Sequence, residues 1–299
     1  MPEDTAPHPM DHIPVRPLAF DVDGLAGTSP VWSRSCPEFS ILLNALGLHV
    51  PYFERYLIRV LNRAKAAVDD PELRAAMSAI IGQEAHHAKN FLAYNKFLGL
   101  TYPKAPALDE AARDFFVEHL KTDSPKRQVG FTAGYETFTF LAGMIVLDNY
   151  EAWFSDSEPT IKAMWVWHQV EEVEHGAVAF DVYKALYGRH EWYRKYMIVV
   201  ALKHIVLETA RTYLHMCRVS GFLRNPWRAW RSTSFLVSTL LKMAWLSLPV
   251  FSRKYHPRNH PLVTDRQNPI AVAWRNFEGN GGDVLAIDRE KMNLILQAS

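Results

Sequence analysis

The sequence predicts an all-α protein: four long helices paired as two antiparallel hairpins, a crossover between them, and further helices toward the C-terminus. Three observations predict it. Apolar residues recur at helical spacing over long stretches, caps with proline or glycine mark their ends, and no convincing run of strands interrupts them.

The elements follow in order. Residues 1–35 are proline-rich (Pro2, Pro7, Pro9, Pro14, Pro17, Pro30) and lack helical periodicity, so an extended arm is expected. A helical pattern begins at Pro51, runs through Phe53, Tyr56, Leu57, Val60 and Leu61, and fades by Asp69. Asp70-Pro71-Glu72 starts the second helix, with Asp70 as N-cap, Pro71 in the first turn and Glu72 favouring the dipole. It runs to Leu98. A breaker at 100–106 precedes a short crossing helix over Leu108–Leu120. Ser124-Pro125 opens the third long helix, to Phe154, and Ser155–Pro159 forms the turn into the fourth, stopped after Tyr187 by Gly188. A fifth helix covers Trp192–Cys217 and a sixth 226–252. Beyond Tyr255 the chain reads as loop, with a short helix near Arg289–Leu296. The expected division is an arm (1–35), a bundle with its fifth helix (36–225) and a helical extension and tail (226–299).

Composition narrows the function. A formal net charge of +1 gives no charge-based case for nucleic acid. Two distant cysteines, Cys36 and Cys217, offer neither a disulfide framework nor a thiolate metal site. No basic start followed by an apolar stretch opens the chain, so a cytoplasmic protein is expected.

The chemistry lies in a duplicated spelling. Glu84 and His87 form one Glu-x-x-His, and Glu172 and His175 form another. In a four-helix bundle, two such motifs and one glutamate from each remaining helix make a two-metal carboxylate cage. Paired antiparallel helices rise at the same rate, so residues equidistant from a turn share a height. Glu84 lies fifteen residues after Asp69 and Glu54 fifteen before it; Glu172 lies eighteen after Phe154 and Glu136 eighteen before it. Glu38 and Glu151 miss these heights. Glu54 and Glu136 sit in apolar segments, where an unpaired carboxylate is costly to bury. His168, Glu172 and His175 share one helix face, which makes His168 a third imidazole candidate. Glu171 and Glu174 read as a solvated face, and His86 points about 160° from Glu84 around the helix, too far to ligate with it.

This order resembles the ferritin-like di-iron carboxylate proteins, and the extra His168 is similar to the pattern of di-iron arylamine N-oxygenases. The wording Trp165-x-Trp167-His168-x-x-Glu171-Glu172-x-Glu174-His175, followed by Ala179-Phe180-Asp181, resembles a bacterial family labelled predicted metal-dependent hydrolases. The resemblance covers roughly residues 35–225 and is silent on the substrate. It implies a ferritin-like bundle and two metal ions, iron first with manganese or zinc open, held by Glu54, Glu84, His87, Glu136, His168, Glu172 and His175. Asp181 matches the family wording but gets no role from it; a hydrogen bond to a ligating histidine is the expectation.

The leading expectation is a di-iron enzyme that takes dioxygen and an electron donor to oxidise a small apolar or amine-bearing substrate. Tyr135, Phe138, Phe140, Trp165, Trp167 and Phe91 would wrap its pocket. The alternative is hydrolysis by hydroxide generated at the metal pair; Gly-x-Ser-x-Gly, His-Glu-x-x-His and a phosphate loop are all absent. A third reading is an iron-binding protein that acts on no organic substrate, for iron storage or as a ferroxidase.

Two features of the second half stay open. His204, Glu208, Arg211 and His215 form a polar stripe on the fifth helix, read as a buried Glu208–Arg211 pair with satisfied histidines or as a substrate-facing wall. Residues 233–251 are apolar with basic flanks, but Lys242 sits mid-run and Pro249 closes it. The expectations are a helix packed on the bundle, or peripheral membrane contact through 226–254. The oligomeric state, homodimer included, is open.

Overall fold

The structure, a computed structural model, describes residues 8–264 and 267–298. It is all-α among the described residues, apart from one isolated bridge between Ser33 and Ser157. In chain order the helices are α1 Pro37–Gly47, α2 Val50–Ala64, α3 Pro71–Gly99, α4 Ala105–Thr122, α5 Pro125–Asp148, α6 Tyr150–Phe154, α7 Pro159–His175, α8 Val178–Tyr187, α9 Glu191–Val219, α10 Pro226–Leu246, α11 Pro261–Thr264, α12 Pro269–Gly279 and α13 Arg289–Gln297.

The caps explain the starts. Asp70 accepts from the backbone N–H groups of Glu72 and Leu73, and Pro71 occupies the first turn, where its missing N–H costs nothing. Ser124 and Asn225 cap α5 and α10 in the same way, and the Glu158 carboxylate caps α7. α2 packs on α3, α3 on α7, α7 on α5 and α5 on α2, so these four close a ring. α9 lies along α5, and α4 crosses α2 and α3.

Close packing of α5 on α9 needs a missing side chain. A Cβ at Gly134 would sit 2.8 Å from the Met197 backbone carbonyl, which cannot swing away as a side chain would. Gly134→Ala is expected to destabilise the protein by roughly 1–3 kcal/mol, as overpacking does, which thermal or denaturant unfolding will read.

Several expectations change. No helix is expected before Pro51, yet α1 fills Pro37–Gly47. Nearly all of α1 is buried, so it has no polar face to mark a period. The third and fourth long helices end early. Asn149 turns its carboxamide back to the Ile145 carbonyl at 2.6 Å, separating α5 from α6. Gly176 and Ala177 separate α7 from α8, where a Cβ at Gly176 would meet the Phe140 ring at 2.9 Å. The sixth helix stops at Leu246 and continues as a 3-10 turn, Leu248–Phe251. The stretch after Tyr255 holds α12, started by Asn268 and Pro269.

Residues 8–35 hold two 3-10 turns, Pro9–Asp11 and Asp23–Leu25, and no α-helix, and they are built into the core; residues 1–7 of the expected arm lie outside the described residues, as do 265, 266 and 299 of the tail. Phe20, Val22, Leu25 and Trp32 are buried. The Phe20 N–H donates to Asn90, whose carboxamide donates to the Leu18 carbonyl, and Trp32 donates to Asn44.

Candidate metal centre

The inward faces of α2, α3, α5 and α7 carry Glu54, Glu84 with His87, Glu136, and His168 with Glu172 and His175, all buried. Six of them fall into two overlapping groups whose donor atoms lie within 4.8 Å of one another. One is Glu54, His87, His168 and Glu172; the other is Glu84, His87, Glu172 and His175. His87 and Glu172 belong to both. Glu172 spans the groups, with Oε1 3.1 Å from His168 Nε2 and Oε2 3.9 Å from His175 Nε2. Glu136 belongs to neither group. Its Oε2 lies 3.0 Å from His175 Nδ1, the nitrogen turned away from Glu84 and Glu172.

The donor set fits a metal pair on physical grounds. Glu54 Oε2, both oxygens of Glu84, His87 Nδ1, Glu172 Oε2 and His175 Nε2 are buried without hydrogen-bond partners. Buried polar atoms are rarely orphaned, and here the orphans converge. Burial, then the charge of Glu84, holds the Glu54 carboxyl well above its usual range; burial also raises Glu136 and pushes Glu172 up to about 8. Burial lowers an imidazole, but at His175 the charges of Glu172 and Glu136 outweigh it and lift it to about 10. His168, which burial and the neighbouring charge of His87 push well down, is a neutral donor. Crowded carboxylates of this kind are relieved by a cation. Oxygen and imidazole nitrogen suit iron, manganese or zinc alike. Both cysteines lie outside the groups.

Each imidazole is held from behind. His87 Nε2 lies 2.9 Å from Glu171, and His168 Nδ1 shares a hydrogen bond of 2.9 Å with the Gln169 carboxamide. Such partners fix the tautomer and aim the other nitrogen inward. Glu171 and Glu174 are therefore not the solvated face expected of them: both are fully buried. Arg16 of the arm donates to Glu171 at 2.9 Å, to both oxygens of Glu174 at 2.8 and 2.9 Å, and to Glu278 of α12 at 2.8 Å. Gln83 adds a bond to Glu174 at 3.0 Å. Sequence reasoning missed Arg16, because nothing local ties an arginine in a proline-rich arm to a carboxylate 155 residues away.

An apolar cavity of about 70 Å³ ends on His168 and Gln169. Leu43, Leu46, Val50, Tyr135, Phe138, Trp165, Ile205 and Met243 form most of its wall. Of the expected aromatic wrapping, Tyr135, Phe138 and Trp165 line this cavity. Phe91 meets His168 edge-on at 4.8 Å and Trp167 meets His87 edge-on at 4.7 Å, while Phe140 packs instead against His260.

The other candidates are not part of the cluster. Asp181 is partly exposed and pairs with His256 at 2.8 Å rather than with a ligand histidine, because the break at Gly176 ends α7 before it. Glu208 and Arg211 are 3.9 Å apart with Arg211 largely exposed, so the buried pair is replaced by a surface one. His204 stacks on Phe115 and lies 3.3 Å from the Tyr135 hydroxyl, behind the cavity wall. α9 lines the cavity through Ile205 and Thr209.

His49 is a further polar group in that wall, missed because it precedes the first recognised helix. It is buried, its Nδ1 has no hydrogen-bond partner, and burial followed by the charge of His204 pushes it down to about 4. The unfolded chain protonates a histidine near pH 6.5. The folded pKa is lower, so stability falls as pH drops from 6.5 toward 4 and is unaffected above. Wild type is expected to lose roughly 2 kcal/mol more than His49→Leu between pH 7 and pH 5, read by denaturant unfolding at both pH values.

Neither curated proteins nor solved structures yield a match. A family profile described as predicted metal-dependent hydrolase matches residues 14–261, which take in the arm's Arg16, all seven candidate ligands and the cavity. The chain belongs to that predicted metal-dependent hydrolase family.

Proposed function

We propose that this protein is a two-metal enzyme whose ions are held by Glu54, Glu84, His87, Glu136, His168, Glu172 and His175. The observation that carries the reading is the pair of overlapping buried groups sharing His87 and Glu172. The ring of α2, α3, α5 and α7, with α4 as the crossover, supports a ferritin-like order. Glu136 enters the set by its height alone, since in the structure it lies behind His175.

Hydrolysis is the chemistry that family membership supports, and the apolar wall of the cavity favours a small apolar ester as its substrate. Two bound ions supply Lewis acidity, which activates water at neutral pH and polarises a carbonyl. The chain's own residues do the rest. The apolar wall receives the acyl or alkyl part, and His49, neutral near pH 7, offers the substrate a hydrogen bond. Arg16, through Glu171, keeps His87 aimed at the ions. The reading requires a small-molecule substrate and no nucleic acid.

Dioxygen activation is the second reading, and the cavity favours it. A dry wall against His168 is what protects an oxidant from water, and about 70 Å³ suits a molecule of a few atoms. Protein loaded with Fe²⁺, Mn²⁺ or Zn²⁺ and given a panel of esters under nitrogen separates the two. Ester turnover without oxygen supports hydrolysis. Oxygen consumption with a reductant, and no ester turnover, replaces it by the second reading.

A further inference from the structure

Helix α10 carries an exposed apolar stripe. Trp227, Trp230, Val237, Leu241 and Trp245 are exposed, with the three tryptophans at 74%, 66% and 72%. At about 100° per residue these five fall within roughly 80° of one face. The opposite face is fastened to the protein: Ser232 and Leu236 are buried, and Tyr213 donates to the Ser232 carbonyl at 3.0 Å. The segment from Pro226 to Phe251 is long and apolar enough to cross a membrane by length and composition, as is α5, but α5 is core whereas only 17% of the most apolar stretch of this segment is buried.

Charge selects the occupant. Between Glu208 and Asp265 the sequence has nine arginines and lysines and no acidic residue. On the helical wheel Arg231, Lys242 and Arg228 succeed one another along one edge of the stripe. Arg231 also reaches Glu38 at 3.2 Å, and Arg228 lies over the Phe222 ring. A second copy of the chain would bring this basic edge against another like it. An anionic lipid surface complements both the stripe and its edge, and indole side chains favour the headgroup boundary.

We propose that α10 docks the protein on anionic membrane surfaces, lying in the interface with its packed face still on the bundle. Met243, on that packed side, is part of the cavity that ends at His168, so docking sets the cavity beside the lipid boundary and favours substrates that partition there. Docking itself does not rest on the metal chemistry, and its test needs no activity.

Full-length protein is sedimented with phosphatidylcholine vesicles, with and without phosphatidylglycerol. Binding to the anionic vesicles is expected to exceed that to the neutral ones about tenfold, to weaken with salt, and to fall about tenfold or more in a Trp227→Ser, Trp230→Ser, Trp245→Ser variant. Leu241→Glu, a single exposed change, is expected to lower it likewise and guards against misfolding of the triple variant; matching unfolding curves show that both are folded. No binding to either vesicle, or equal binding by wild type and the variants, overturns the proposal. A concentration-dependent dimer that Leu241→Glu dissolves, with no vesicle binding, overturns it in favour of a second copy.

Discussion

Glu172→Gln is expected to leave the protein folded and nearly free of metal. Glu172 is in both donor groups and lies between His168 and His175, so in the proposed pair it would be the carboxylate best placed to serve both ions. Glutamine keeps the size of the side chain and removes its charge, putting an amide that cannot bridge two cations where the carboxylate was. Removing an outer partner of a metal site typically costs 10–100-fold in affinity, so the loss of a shared ligand should exceed about 100-fold. The metal-free fold should not suffer, because burial already pushes the Glu172 carboxyl up to about 8 and glutamine resembles its protonated, uncharged form. Metal analysis of the purified variant, with unfolding curves of metal-free wild type and metal-free variant, checks both halves. Full metal content in a folded Glu172→Gln protein would remove Glu172 from the ligand set.

Arg16→Leu is expected to damage stability and the metal centre together. Arg16 is buried among Glu171, Glu174 and Glu278, and its removal leaves Glu171 and Glu174 buried without their cation. Breaking a buried pair from one side costs about 3–5 kcal/mol, equivalent to roughly 5–8 °C in melting temperature for a chain of this size. Glu171 also loses the group that holds it beside His87, so metal affinity should fall about 10–100-fold in whatever protein remains folded. Arg16→Lys should recover only part of either loss, since one ammonium cannot reproduce the fork that spans both carboxylates. A melting temperature unchanged in Arg16→Leu would contradict the role given to the arm.

What could be read from the sequence was what depends on local spacing. The duplicated Glu-x-x-His, the caps at Asp70 and Ser124, and the shared face of His168, Glu172 and His175 are written in short stretches. Counting from the turns added Glu54 and Glu136, and the structure brings both to the cluster, although Glu136 stands behind His175 rather than inside either group. What escaped depends on long-range contact or on uniform burial. α1 is buried almost all round, so no period betrays it. Glu171 and Glu174 looked solvated because their partner, Arg16, lies far off in a segment with no pattern of its own. Asp181 carried the family wording yet sits past the break at Gly176, on a helix that pairs it with His256.

The proposed chemistry depends on the metal pair. Its most direct measurement is elemental analysis of the intact protein after titration with Fe²⁺, Mn²⁺ and Zn²⁺ and removal of loosely bound ions. The account predicts about two ions per chain for at least one of these metals. A folded protein that takes up none of them would contradict it.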